Sequence, residues 1–358
     1  MKLTDREWDV FFIGDLFTVS RPAARSKDDY IEGTIPFVAS GSENNGVMKC
    51  CKPIDNEKLD KAGCITVSPV DGSAFYQSFD FLGRGGAGSS ILILRSKRLN
   101  LYAGLFIAKM IAQTCSCKYT YGHMGNKDNI KRERIMLPVT RSGEPDYHFM
   151  EDYAKELVKG KENQYKEFVE QRLKLLNNDI SDFETKNGNI NHTWSEFFLE
   201  DLFTVSPGKR LTNADKIKGN RPFIGATDNN NGITGFVNNI NSSIDKNVLG
   251  INYNGAPCIG YYHPYECIFT DDVKRLHLKH HEDNPYILLF MKAIILKQRS
   301  KYSYGYKFNE NRMLRQLLSV PVTDSGEPDY AFMEQYGKIL VVRKYQQYLD
   351  YLDGQKIK

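Results

Sequence analysis

The stretch Pro138-Val139-Thr140-Arg141-Ser142-Gly143-Glu144-Pro145-Asp146-Tyr147 returns as Pro321-Val322-Thr323-Asp324-Ser325-Gly326-Glu327-Pro328-Asp329-Tyr330. In both places a β-type run ends in Pro-Val, a Gly-containing turn follows, and a long segment of helical spacing begins. Other matches lie further out. Asp15-Leu16-Phe17-Thr18-Val19-Ser20 recurs letter for letter as Asp201-Leu202-Phe203-Thr204-Val205-Ser206. Trp8 aligns with Trp194, Pro36-Phe37 with Pro222-Phe223, and Asn44-Asn45-Gly46 with Asn230-Asn231-Gly232. Lys118-Tyr119-Thr120-Tyr121-Gly122 aligns with Lys301-Tyr302-Ser303-Tyr304-Gly305, after a net loss of three residues in the second copy. Solenoid repeats have periods of about 20–50 residues. This period is far longer, so each copy is a whole domain plus the segment after it.

The 358 residues suit two domains at roughly 100–200 residues each. A net charge of +4 permits a nucleic-acid partner without demanding one. The 21 Tyr and 20 Phe provide either aromatic cores or flat binding faces with polar tips. The N-terminal residues lack a signal-peptide core. The apolar runs Leu101 to Ile111 and Tyr286 to Leu296 are shorter than the roughly 20 residues of a membrane span. A cytoplasmic protein with no membrane partner is expected. Seven cysteines without zinc-like spacing are expected to be reduced thiols, with neither metal nor cofactor. His277, His280 and His281 have no counterparts in the first copy and are expected on the solvated surface.

Each copy opens with an aromatic strand and continues with short β-type runs between Gly, Asn and Pro. Each then carries one apolar helix, Leu101 to Gln113 or Pro285 to Lys297. Asn284 is the expected N-cap of the second, with Pro285 at its first position. After the domain, Phe149, Met150, Tyr153, Leu157, Val158, Phe168, Val169, Leu173 and Leu176 keep helical spacing. So do Phe332, Met333, Tyr336, Ile339, Leu340, Leu349 and Leu352. Pro145 and Pro328 fit the first turn of these helices. The plainer reading lays each helix on its own domain. The preferred reading packs the two apolar stripes together as an antiparallel coiled coil, with Leu157, Phe168, Leu340 and Leu349 contributing. The expected layout is a first domain over 1–144, a helix over 145–178, a linker over 179–192, a second domain over 193–327 and a helix over 328–358. The fold class is mixed α/β (α+β), two homologous domains related by a pseudo-twofold. A helix of about 32 residues is roughly 48 Å long, more than one turn of B-DNA at about 34 Å.

The Lys-Tyr loops place a cation beside aromatic faces. Lys118 and Lys301 suit phosphate, and Tyr119, Tyr121, Tyr302 and Tyr304 suit sugar, base or phosphate. Lys127 and Lys307 lie close by in sequence. Packing of these tyrosines on the core is the alternative. Asn44, Asn45, Asn230 and Asn231 precede a glycine and fit a turn, yet Asn also pairs with adenine. Asp71-Gly72-Ser73 aligns with Asn252-Tyr253-Asn254-Gly255. Such unlike loop tips, with Asn254 as a candidate contact, suit two readers of unlike sequences.

The chain resembles the specificity subunits of type I restriction–modification systems and of the related type IIB enzymes. The resemblance rests on "LPVTRSGEPDYHFMEDY" and "SVPVTDSGEPDYAFMEQY", on "FFIGDLFTVS" and "FFLEDLFTVS", on "PFVASGSENNGV" and "PFIGATDNNNGI", and on the Lys-Tyr loops. It covers nearly the whole chain. It implies two target-recognition domains that read halves of a bipartite double-stranded DNA sequence. It further implies helices that set the spacing and dock methyltransferase or fused restriction–methylation subunits, and no catalysis by the subunit itself.

Motifs of catalysis are missing from the sequence. No Phe-x-Gly-x-Gly and no Asn-Pro-Pro-Tyr-like tetrad occurs; Asp283-Asn284-Pro285-Tyr286 lacks one proline and is better read as a helix cap. Gly83-Arg84-Gly85-Gly86-Ala87-Gly88 is not followed by Lys-Ser/Thr, so it is no phosphate-cradling loop. Arg84 within it is placed to reach a DNA phosphate. The competing class is a two-domain scaffold that binds protein or carbohydrate through the Tyr-rich loops. Steep salt dependence of duplex binding separates the two.

Overall fold

The computed structural model describes residues 1–86, 88–186, 192–302 and 306–356. Two compact units, Met1–Tyr165 and Lys166–Lys358, divide the chain. In the first unit the order is β1 (Trp8–Phe12), α1 (Ile13–Leu16), β2 (Thr18–Ser20), β3 (Glu32–Val38), β4 (Val47–Cys51), β5 (Cys64–Val67), β6 (Ala74–Gln77), β7 (Leu82–Gly83), β8 (Leu92–Arg95), α2 (Leu101–Cys115), α3 (Lys127–Arg132) and β9 (Arg134–Pro138). The long helix α4 (Tyr147–Lys186) follows. The second unit repeats the pattern with β10 (Trp194–Phe198), α5 (Leu199–Leu202), β11 (Phe203–Pro207), β12 (Lys218–Ile224), β13 (Ile233–Val237), β14 (Ile244–Asp245), β15 (Val248–Asn252), β16 (Gly260–His263), β17 (Cys267–Phe269), β18 (Val273–Leu278), α6 (Pro285–Lys297), α7 (Glu310–Leu314), β19 (Leu317–Pro321) and α8 (Tyr330–Lys356).

Both units are mixed α/β, and their sheets correspond. A four-stranded sheet runs β2-β8-β5-β6 in one and β11-β18-β15-β16 in the other, antiparallel throughout. A second sheet runs β4-β3-β7 or β13-β12-β17-β14, with one parallel pair in each. The opening strand of each domain pairs with its last, Trp8 opposite Pro138 and Trp194 opposite Pro321. Helices α2 and α6 bury their apolar faces on the four-stranded sheets, as Ile107, Ile111, Ile287, Met291 and Ile295 show. Asn284 caps α6 by accepting from Tyr286 N at 2.9 Å, with Pro285 at the helix start.

The duplicated Gly-Glu-Pro-Asp turn is built the same way twice. Gly143 and Gly326 adopt φ of +82° and +84°, where a side chain is disfavoured. Pro145 bridges to Val139 and Pro328 to Val322, so neither proline enters the helix as expected. Asp146 and Asp329 take the N-cap place instead, their carboxylates accepting from Phe149 N and Phe332 N at 2.9 Å.

Helix α4 passes through the expected linker boundary at 178–179 and continues to Lys186. Asn177 and Asn178 are weak helix formers but do not break a helix, and no Gly or Pro stands between Gly160 and Gly188. Ile180 also extends the apolar stripe: it clusters with Leu176 and with Ile339 of α8, beside Val342 and Tyr345. Phe168 meets Tyr345 edge-on at 6.3 Å between ring centroids. Arg172 Nη2 donates to Tyr286 Oη at 2.8 Å, while Lys338 covers the same Tyr286 ring. Rising numbers on α4 meet falling numbers on α8, so this part of α4 packs antiparallel to α8 within the second unit. Of the four residues expected in the seam, Phe168 contributes an edge and Leu349 is half-buried. Leu157 and Leu340 are 53% and 41% exposed and lie off it. Neighbouring helix positions point about 100° apart, and Ile339 takes the buried direction in place of Leu340.

Candidate nucleic-acid interface

In each domain the Lys-Tyr loop leaves the apolar helix and leads to a short capped helix and then the last strand. Asn126 caps α3 by accepting from Asp128 N and Asn129 N, and Asn309 caps α7 by accepting from Arg312 N. The caps fix where α3 and α7 start, and with them the loop in front.

In the first domain the loop separates its two tyrosines. Tyr119 is 3% exposed and belongs to the core, while Tyr121 is 80% exposed. Burial takes Tyr119 out of the expected DNA contacts and pushes its hydroxyl pKa well above the ordinary value. On an extended segment residues two apart would share a face; here Tyr121 sits in the tight turn closed by the Thr120–His123 bridge, and only it reaches solvent. Lys118 is ion-paired with Glu133, which also receives Tyr119 Oη at 3.5 Å. Lys127 is exposed at the start of α3.

In the second domain Tyr302 is half-buried against the core, its hydroxyl donating to Gln316 Oε1 at 2.6 Å. Burial pushes its pKa up to about 12. Tyr304 lies outside the described residues. Tyr302 stacks on Tyr306 with centroids 5.9 Å apart and planes at 9°. Arg312 covers the other ring, its guanidinium carbon 3.7 Å from the Tyr306 centroid. Arg312 Nη1 also donates to the backbone oxygen of exposed Lys307 at 2.8 Å. Lys301, Tyr302, Tyr306, Arg312 and Arg315 line one open cleft of about 480 Å³. The expected pair Lys301 and Tyr302 is thus brought together with Tyr306, Arg312 and Arg315.

Each Asn-Asn-Gly motif forms a left-handed turn, with φ between +48° and +57° at Asn44, Asn45, Asn230 and Asn231. Asn tolerates this region better than most side chains. Asn45 Nδ2 donates to Gln77 Oε1 at 3.0 Å, an engagement that favours the turn role. Asn44, Asn230 and Asn231 are exposed. Asn254 donates to Asp272 at 2.8 Å, and Arg84 is held by Ser89. Neither is free-standing as the loop reading expected: Asn254 ties its loop to the turn between β17 and β18, and Arg84 closes its own loop.

His277 also departs from its expected solvated state. Its Nδ1 lies 2.6 Å from Asp283 and its Nε2 3.0 Å from Asp245. The hydrogen bond to Asp283, with Asp245 opposite, raises its pKa to about 9.

A second surface is duplicated as well. Trp8, Phe106, Tyr153 and Leu157 line a groove of about 350 Å³ in the first unit. Their repeat counterparts Trp194, Phe290, Tyr336 and Leu340 line one of about 890 Å³ in the second. Tyr153 meets Phe106 edge-on at 5.9 Å, and Tyr336 meets Phe290 edge-on at 5.7 Å. Leu157 and Leu340 belong to these grooves.

All seven cysteines are free thiols. No helix among the described residues is long and apolar enough to cross a membrane.

Two homologous mixed α/β domains, each followed by a long helix, define a tandem-duplicated class of protein. The sequence profile of the type I restriction modification DNA specificity domain matches residues 5–167 and again 191–347, and the chain belongs to that family. It is 38% identical over 337 residues to the type II restriction enzyme BgcI specificity subunit, S.BcgI, of Heyndrickxia coagulans, covering 92% of this chain and 93% of that one. Among solved structures, the S subunit of a type I restriction–modification system from M. genitalium aligns over 100% of this chain and 95% of its own, at 16% identity and a TM-score of 0.42. The HsdS subunit from Thermoanaerobacter tengcongensis aligns over 96% and 95%, at 12% identity and a TM-score of 0.32.

Proposed function

We propose that this chain is the DNA-reading subunit of a restriction–modification complex, each domain reading one half of a gapped, asymmetric target in double-stranded DNA. The observation that carries this is the family's specificity domain occurring twice, each copy holding a cation-and-tyrosine loop ahead of a capped helix. Lys301, Lys307, Lys127 and Tyr121 lie on the reading side, with Asn44, Asn230 and Asn231 at the turn tips. The unlike aligned loops read unlike half-sites.

The chain binds and positions, and catalysis belongs to its partners. Methyltransferase or fused restriction–methylation subunits dock on the duplicated apolar grooves and the flanking faces of α4 and α8. The long helices set the gap between half-sites. The chain works in the cytoplasm.

The deciding experiment compares the methylomes of a host expressing the chain with its neighbouring methyltransferase and of a strain lacking only this chain. Loss of one gapped adenine-methylation motif supports the reading. A methylome unchanged by the deletion, with an active methyltransferase present, overturns it.

A further inference from the structure

At one place the two copies differ in charge while keeping their architecture. Lys118 and Glu133 of the first domain align with Lys301 and Gln316 of the second. Lys118 is ion-paired with Glu133, and Tyr119 Oη faces the same carboxylate. In the second domain Tyr302 Oη still donates to the side chain at this position, Gln316, but the carboxylate is gone. In the same stretch Asp128 becomes Asn311 and Asn129 becomes Arg312, while Lys127, Lys131 and Arg134 become Glu310, Leu314 and Leu317, so the gain of positive charge is confined to the cleft around Lys301. Among the described residues, no acidic side chain lines the Lys301–Arg312–Arg315 cleft. Glu310, close in sequence, is ion-paired with Lys274. Arg312 is held by the Tyr306 ring and by the Lys307 carbonyl.

We propose that this cleft is the chain's main anchor for a DNA phosphate, and that Glu133 keeps the matching lysine of the first domain out of phosphate contact. The inference rests on the DNA-reading function above. A lysine already bound to a carboxylate gains little by exchanging it for a phosphate, and it neutralises no phosphate while it stays paired. An unpaired lysine beside two arginines neutralises phosphate outright and releases counterions. The two half-sites are therefore gripped unequally, although the loops share their sequence.

The test is the salt dependence of binding to a fluorescein-labelled duplex of random sequence several helical turns long, with the full chain in complex with its methyltransferase. Each phosphate neutralised contributes about 0.9 to the slope of log affinity against log salt. Lys301→Ala is expected to lower the slope by about that amount, and Lys118→Ala to leave it unchanged. Glu133→Gln should steepen it by about 0.9 and tighten binding several-fold. Adding Lys118→Ala to Glu133→Gln should restore the original slope. Equal losses from Lys118→Ala and Lys301→Ala overturn the inference, as does an unchanged slope in Glu133→Gln. If Glu133→Gln does not fold, the comparison of the two alanine variants still decides. A wild-type complex without salt-dependent duplex binding overturns the DNA-reading function itself, whereas a binding wild type with equal alanine losses overturns only the unequal grip.

Discussion

The guanidinium carbon of Arg312 lies over the Tyr306 ring, 3.7 Å from its centroid. A cation on an exposed aromatic face gains about 0.5–1 kcal/mol, and the contact also limits where the charge can point. Lys supplies the charge without the planar face. Arg312→Ala is expected to weaken duplex binding about uniformly across sequences and to lower the salt slope by about 1. Arg312→Lys should fall between that variant and wild type. Fluorescence anisotropy titrations on one duplex measure both, and a Lys variant that binds like wild type would sink the positioning role of the ring.

His277 bridges Asp245 and Asp283, with Arg275 Nη1 also 2.9 Å from Asp245. Its folded pKa of about 9 lies above the ordinary 6.5. The charged imidazolium is therefore favoured in the folded state. Its contribution is fully present below pH 6.5, declines as pH rises towards 9, and is gone above that. A shift of this size corresponds to about 3 kcal/mol. His277→Gln should be less stable than wild type at pH 6, with the gap closing by pH 10. Urea midpoints of the second domain's transition across this range report it; a gap that does not change with pH would show that the imidazole is neutral in the fold.

What was legible in the sequence was what is local or repeated. The Gly-Glu-Pro-Asp turn, the Asn284 cap and the tandem domains all depend on residues close in sequence or on self-comparison. Sidedness was not legible. Extended spacing would put Tyr119 and Tyr121 on one face, and nothing in it shows that the Thr120–His123 turn carries Tyr121 out to solvent while Tyr119 stays buried. The Lys118–Glu133 pair and the His277–Asp245 pair depend on how strands and loops come together, which no motif encodes. The Glu133 and Gln316 difference was present in the aligned copies. It acquires meaning only once Lys118 is seen beside Glu133.

Gly104 gives a test of packing. It is the fourth residue of α2, and within a helix Ala is ordinarily favoured over Gly by about 1 kcal/mol. Here a Cβ would lie 2.2 Å from Cδ2 of the buried Tyr76 ring, which is not the far end of a flexible chain. Overpacking of this kind costs about 1–3 kcal/mol. Gly104→Ala is therefore expected to destabilise the first domain. Thermal unfolding measures the effect, and a stabilised variant would mean that Tyr76 moves aside freely.

Ile339 and Leu340 are adjacent on α8 and face different surroundings, the first 8% exposed in the seam with Leu176 and Ile180, the second 41% exposed in the apolar groove. An unpaired charge in the seam loses its hydration and displaces packed methyl groups. Ile339→Asp is expected to cost about 3 kcal/mol or more and to loosen α8 from α4. Leu340→Asp leaves the charge in water, so its cost should stay near 0.5 kcal/mol. If the groove receives the methyltransferase subunit, Leu340→Asp and its counterpart Leu157→Asp should lose co-purification with that subunit while their own unfolding curves stay close to wild type. Retention of the partner by both variants would move the docking surface elsewhere on the helices. An Ile339→Asp protein as stable as wild type would instead deny the antiparallel seam.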